Sequence, residues 1–344
     1  MRITTSLNLM FYLKSRIVVL AVLASTALFF TSCKEDDVEP EYVGNWFQKS
    51  LPDFDGISRR SAVAFTIDGF GYAGLGYSSN QERLRDFWQY NPQQLFWTQK
   101  AAFGGTARQD AVAFSIGSKG YVGTGYDGDY KADFWEYDPT SNTWTEVAPL
   151  PAGSGNPERQ YATAFVLNDK AYVGLGFNGN YLQDFYEFTP NAEGGNWQQI
   201  TSFIGGKRQG ASAFVVNGKA YVGFGRGNTG VTHQDLWEFN PGSSPVWVPK
   251  TELEGHPRAN AVALSLNNKG YIIGGSATTS LRDVWEYDPS NDTWTQKTSF
   301  EGGARSYAIG FTLGGTIYYG TGQSGSYLDD FWGFDPAATQ VDND

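Results

Sequence analysis

The stretch Ala111 to Ile116 sets small Ala111 and Ala113 against larger Val112 and Phe114 at alternating positions. This is the period-two signature of a β-strand whose two faces meet different surroundings. Three further runs follow it: Tyr121-Val122-Gly123-Thr124-Gly125, then Asp133-Phe134-Trp135-Glu136-Tyr137-Asp138-Pro139, then a run around Trp144. Asn217-Gly218, at a first connection of this kind two units later, has ready access to positive φ and predicts a two-residue hairpin. Asp138-Pro139 predicts the turn into the outermost strand. The unit therefore reads as four short strands in sequence.

The unit recurs about every 50 residues, and its opening arginine returns at Arg59, Arg108, Arg159, Arg208, Arg258 and Arg305. A fixed period of this length signals a repeat architecture. A lone four-stranded sheet of this kind would leave both apolar faces wet, so the units must stack face to face. The last unit decides between a ring and a row. Its third strand is present in Asp330-Phe331-Trp332-Gly333-Phe334, but no tryptophan follows it, whereas an unclaimed Trp46 precedes the first unit. Trp46 leads Arg59 by 13 residues, much as Trp97 leads Arg108 by 11. With Trp46 counted beside Trp97, Trp144, Trp197, Trp247 and Trp294, each of the six units has its outer-strand tryptophan. The expected fold is all-β, a six-bladed propeller over residues 45–336 whose N-terminal strand completes the last blade and removes a free edge. Residues 337–344 form a tail.

Composition agrees: 42 glycines and 16% aromatics among 344 residues suit short strands and tight turns. The repeats resemble those of kelch propellers over roughly Trp46 to Pro336. The family usually places a double glycine after the second strand's tyrosine. Only Gly274-Gly275 keeps it here, and the other units read Gly-x-Gly, as in Gly174-Leu175-Gly176.

Residues 1–32 carry Arg2, Lys14 and Arg16, no acid, and an apolar stretch from Ile17 to Phe30. Its 14 residues fall short of the roughly 20 that span a bilayer, and the pattern is that of a secretory signal, starting at Met1 or Met10. The chain's one cysteine follows in Phe30-Thr31-Ser32-Cys33. This resembles a bacterial lipobox, with Phe30 in place of the usual leucine, and implies lipidation of Cys33. Lys34-Glu35-Asp36-Asp37 resembles the signal that sends lipoproteins of Bacteroidetes-type bacteria to the outer face of the outer membrane. The alternative for these four residues is an ordinary solvated linker, and residues 33–44 are expected to form the lipidated N-terminus and linker. Loss of the leader takes the formal charge from −11 to −14. An acidic chain with no basic stripe is a poor partner for nucleic acid, and a closed propeller is expected to be monomeric.

The kelch resemblance implies a ligand face formed by the loops between second and third strands and the turns entering the innermost strand. Three of these loops join aromatics to Asp, Asn, Gly or Ser, in Asp127-Gly128-Asp129-Tyr130, Asn178-Gly179-Asn180-Tyr181 and Ser324-Gly325-Ser326-Tyr327. Aromatics among adaptable polar groups suit a glycan or peptide, so Tyr126, Tyr130, Phe177, Tyr181 and Arg226 are the expected ligand contacts. Arg108, Arg159 and Arg208 are expected at the channel mouth as partners for carboxylates. The competing reading pairs every repeat arginine with the repeat acid of its unit: Asp86, Asp133, Asp184, Asp235, Asp283 or Asp330.

Catalytic signals are sparse, and no cofactor or metal is expected. Galactose oxidase, which shares a kelch-type propeller, needs a tyrosine cross-linked to cysteine, and Cys33 is taken by the lipobox. His233 and His256 lack metal-ligand spacing. Asp127-Gly128-Asp129 lacks the further acids of a calcium loop. The expectation is a surface lipoprotein that binds a glycan or a protein without catalysis. The alternative is a carbohydrate-active enzyme resembling kelch-type sialic acid epimerases (mutarotases), which would need an arginine and a carboxylate in one pocket.

Overall fold

The computed structural model describes residues 42–341 apart from residue 154; the expected leader, Cys33 and the charged residues after it lie outside this range. Six four-stranded antiparallel sheets form the blades. Blade 2 shows the plan, with strands Val112–Ile116, Lys119–Gly123, Phe134–Asp138 and Thr143–Val147 in that order from the axis outward. The innermost strands of blades 1, 3, 4, 5 and 6 are Val63–Ile67, Thr163–Leu167, Ser212–Val216, Val262–Leu266 and Ile309–Leu313. Each packs on the next, and blade 6 packs on blade 1, so the ring is closed.

The hairpins between first and second strands take the conformation the sequence predicts. Asn217 and Gly218 both have positive φ, 51° and 72°, the two left-handed residues of a type I′ turn whose twist suits the flanking strands. Alternation along the innermost strands puts Phe114 and Val112 into the seams between blades and leaves Ala113 partly exposed. Those small side chains, with Ala64, Ala164, Ala213, Ala263 and Gly310, line a narrow axial channel of about 210 Å³.

The core is six seams rather than one centre. Six apolar clusters, each built from two adjacent blades, hold the buried aromatics of the described residues. An outer-strand tryptophan anchors each seam. Trp144, Trp197, Trp247 and Trp294 donate their indole N–H to Ala101, Ala148, Thr201 and Thr251, carbonyls just past the preceding blade's outer strand. Trp46 does the same to Thr298 at 3.2 Å. Its strand, Asn45–Phe47, pairs antiparallel with Phe331–Asp335, Trp46 opposite Phe334. The N-terminal strand therefore completes blade 6, and Trp46 shares the strand register of its five counterparts and the hydrogen bond of four of them; Trp97 Nε1 has no such partner among the described residues.

Candidate functional site

One face of the ring carries the loops between second and third strands and the turns that enter each innermost strand. Its framework is the repeat arginine. Arg108 is 1% exposed, and Arg159 and Arg208 are 0% exposed. Arg108 spends its guanidinium inside blade 2. Nε donates to the Thr106 carbonyl at 3.1 Å, Nη1 to the Thr124 carbonyl at 3.0 Å and Asp133 Oδ1 at 2.6 Å, and Nη2 to Asp133 Oδ2 at 2.8 Å. The same bidentate pair joins Arg59–Asp86, Arg159–Asp184, Arg208–Asp235, Arg258–Asp283 and Arg305–Asp330. The Trp135 indole also donates to Asp133, at 2.9 Å. Arg108, Arg159 and Arg208 thus lie beneath the mouth with no surface to offer a ligand, which differs from the expected channel lining. The physical reason is that each has a carboxylate partner and a carbonyl to satisfy within its own blade, and a buried guanidinium needs all of these partners.

This pairing also accounts for the Gly-x-Gly departure. The middle residue is left-handed in every blade, from φ 57° at Thr321 to φ 62° at Phe224. Its carbonyl is the one that accepts from the repeat arginine. The arginine bond holds Leu75, Thr124, Leu175, Phe224 and Thr321 where a glycine would go without strain.

The next two positions after each arginine build the mouth itself. The second is left-handed in all six blades: Ser61, Asp110, Tyr161, Gly210, Asn260 and Tyr307 have φ between 53° and 62°. Their backbone groups close a ring around the axis. Asp110 N–H donates to Ser61, Tyr161 to Asp110, Gly210 to Tyr161, Asn260 to Gly210, Tyr307 to Asn260 and Ser61 to Tyr307, at 2.9–3.2 Å. Tyr161 of blade 3 and Tyr307 of the opposite blade 6 meet over the axis with ring centroids 6.0 Å apart, roofing the channel. Arg60 enters from blade 1 and lies 5.2, 5.5 and 5.7 Å from the rings of Tyr307, Tyr327 and Tyr77, with Nε donating to the Tyr327 hydroxyl at 3.1 Å.

Sequence reasoning missed Arg60, Asp110, Tyr161, Asn260 and Tyr307. A signal existed. Alanine stands three places after each of the six arginines, at Ala62, Ala111, Ala162, Ala211, Ala261 and Ala308. The variable pair between two constant residues therefore marks the asymmetric part of a symmetric scaffold.

Around this mouth, the expected aromatic contacts come together. Tyr130 lies 5.4 Å from Tyr126 and 6.1 Å from Phe177, and Phe177 lies 5.2 Å from Tyr181, all four rings half-buried. Arg83 lies 4.8 Å over Tyr126 at one end. The result is a partly exposed arc over blades 1 to 3. Arg226 is exposed and makes no ring contact with the arc among the described residues. It lines a hollow of about 520 Å³ over blades 4 to 6 with Gln209, Thr232, Asn260, Ser276 and Tyr307. There the loops begin with Arg226, Ser276 and Gln323 instead of aromatics, and the missing rings leave the space.

Asp127 is engaged by Lys131 at 2.8 Å and by the Thr106 hydroxyl at 2.6 Å. These contacts, against the opposing effect of burial, lower its carboxyl to about 2. Among the described residues, no three His, Cys, Asp or Glu side chains group as a metal site would require.

The sequence matches the KLHDC2/KLHL20/DRC7 Kelch-repeats domain family over residues 80–248 and 174–341. No curated protein matches it. Among solved structures, the one titled "Structure of YjhT" superposes with a TM-score of 0.68 at 17% identity, over 82% of this chain and 96% of that one. At that identity the likeness speaks for the fold alone. Together with the six blades and the closing N-terminal strand, the match over most of the chain establishes that this protein belongs to the kelch-repeat family of β-propellers.

Proposed function

We propose that this chain is a surface-displayed lipoprotein whose propeller binds a glycan across the mouth, without catalysis. One observation carries the reading: a partly exposed arc of aromatic rings over blades 1 to 3 and a polar hollow of about 520 Å³ over blades 4 to 6 lie on the same face. Sugar rings present apolar C–H faces and a rim of hydroxyls. Stacking on Tyr126, Tyr130, Phe177 and Tyr181 serves the first, and Gln209, Thr232, Asn260, Ser276 and Arg226 serve the second. The leader, the lone Cys33 and the acidic run after it support the address.

The test is a glycan array probed with the wild type and with Tyr130→Ala/Tyr181→Ala, alongside thermal melts. Loss of binding with a melting temperature near that of the wild type supports the reading, because half-exposed loop rings contribute little to the core. Unaltered binding by the double variant places the ligand elsewhere. Capture of a protein but of no glycan replaces the ligand class.

A second reading, the carbohydrate-active enzyme resembling sialic acid epimerases, is favoured by one feature. Arg60 and the buried carboxyl of Asp110 converge at the mouth, where the arginine's charge acts on the acid. Accelerated interconversion of sialic acid anomers by the wild type, read by proton NMR, would select it.

A further inference from the structure

Strand register fixes where the chain enters the ring. In blade 2 the third strand runs from Phe134, just past its mouth loop, to Asp138 on the opposite side, where a hairpin leads back through Thr143. Asn45 pairs with Asp335, the matching residue of blade 6, so Tyr42 and Val43 stand where blade 2 has that hairpin, on the side away from the mouth. This far side is uneven. Blades 2 to 5 begin their second strands with Lys119, Lys170, Lys219 and Lys269, which pair with Asp138, Glu187, Glu238 and Asp288, whereas blades 1 and 6 have Phe70 and Thr316 there. The far side of these two neighbouring blades exposes Tyr42, Val43, Leu95, Phe96 and Val341, each by 39–55%. Ile57, Ile204 and Val231 are exposed too, but singly, in turns and a loop of the mouth side.

Leu95 and Phe96 are poor choices for the blade itself. Leu95 is left-handed, at φ 54°, in the position that Asn142 and Asp292 fill in blades 2 and 5 at φ 54° and 57°. Asparagine and aspartate tolerate this conformation, whereas leucine pays a steric cost for it. Asn142 Oδ1 also accepts from the Ala101 N–H at 2.9 Å and the Tyr137 hydroxyl at 2.8 Å, and Asp292 Oδ1 from the Thr251 N–H at 3.0 Å and the Tyr287 hydroxyl at 2.7 Å. A leucine side chain can accept neither bond. Phe96 stands where blades 2 and 5 have Thr143 and Thr293. An exposed apolar pair, one member strained, at positions where the same repeat elsewhere uses better local residues points to a surface that something else covers.

We propose that this strip is a membrane-contact surface: the far side of blades 6 and 1 rests on the lipid bilayer that holds Cys33, and the mouth faces away from it. The proposal rests on the lipoprotein reading and not on the class of ligand. Tyr42 is nine residues from Cys33, a reach of at most about 30 Å when fully extended. An anchored Cys33 therefore keeps the strip beside the bilayer. Five partly exposed side chains fall well short of the roughly 1,000 Å² of a stable protein interface. A tether makes so small a surface sufficient, because it replaces free association with a high local concentration. Tyr42 suits the headgroup level, and Val43, Leu95 and Phe96 suit the acyl boundary beneath it. Asp68 and Asp335 on the same side disfavour anionic lipid, so the contact is apolar and insensitive to salt.

The test is hydrogen–deuterium exchange, read by mass spectrometry, on the protein purified from membranes and reconstituted in phosphatidylcholine vesicles, against Cys33→Ser free in solution. On the vesicles, exchange should slow over residues 93–96 and 42–44, stay unchanged over residues 126–130 and 177–181, and be indifferent to salt. Leu95→Asn/Phe96→Thr, which gives blade 1 the residues of blade 2, should lose the slowing at 93–96 and melt at or above the wild-type temperature. Slowing at the mouth loops instead, slowing retained by the double variant, or a lowered melting temperature for it overturns the proposal. Slowing at 93–96 in Cys33→Ser as its concentration is raised does so too, and assigns the strip to a second copy. A Cys33 without fatty acid overturns the lipoprotein reading and this proposal with it, whereas a lipidated Cys33 without slowing at 93–96 overturns this proposal alone. A blank glycan array leaves it standing.

Discussion

Replacing Trp46 with alanine tests whether the ring is held shut by its N-terminal strand. The indole is 0% exposed, stacked on Phe334 at 4.5 Å and edge-on to Phe300 and Tyr319 at 4.7 and 5.9 Å. Truncating a buried tryptophan costs about 3–5 kcal/mol in lost transfer energy and residual cavity. The aromatic contacts and the Thr298 hydrogen bond place this site at the upper end of that range. At about 2–3 °C per kcal/mol for a large domain, the melting temperature should fall by about 6–15 °C. Differential scanning calorimetry of wild type, Trp46→Ala and Trp46→Phe reads it directly, and the phenylalanine variant should recover part of the loss. A shift under about 2 °C for Trp46→Ala would refute the reasoning, because a tryptophan so placed cannot be dispensable if its strand completes blade 6.

Arg108→Lys should destabilise by about 3–5 kcal/mol although the charge is kept, because an ammonium cannot serve both Asp133 oxygens and the two carbonyls at once; chemical denaturation measures it, and a stability equal to wild type would return the arginine to the ligand face. Acid should unfold the propeller steeply. At Asp86, Asp133, Asp184 and Asp283, burial alone would raise the carboxyl, but the hydrogen bonds and charge of the paired arginine outweigh it and hold each below its ordinary value. The stability these acids contribute is complete above the unfolded value of about 4 and is lost as pH falls through the lower folded values, which circular dichroism against pH would follow. Cys33→Ser should abolish metabolic labelling by a fatty-acid analogue, and equal labelling of the two proteins would remove the lipoprotein proposal.

The repeat itself was legible in the chain. Six arginines, six outer tryptophans and one tryptophan out of phase define six blades and the closing strand, because each blade must bury the same two faces and therefore repeats the same residues. The loop aromatics Tyr126, Tyr130, Phe177 and Tyr181 were legible for the same reason, since fixed spacing within a unit places them on one face. Whether Arg108 faces a ligand or Asp133 was not. The pair is separated by 25 residues, and only the folded blade shows that the guanidinium has no surface left. The mouth was decided further still from the sequence. Tyr161 and Tyr307 stand in non-adjacent repeats and meet only because a six-membered ring puts blades 3 and 6 across the axis from each other. Asp110 looks like any polar turn residue until the closed ring of backbone hydrogen bonds buries it. Local pattern determines what each blade is. Ring closure, a property of all six blades together, determines which variable residues share the axis and how little water reaches them.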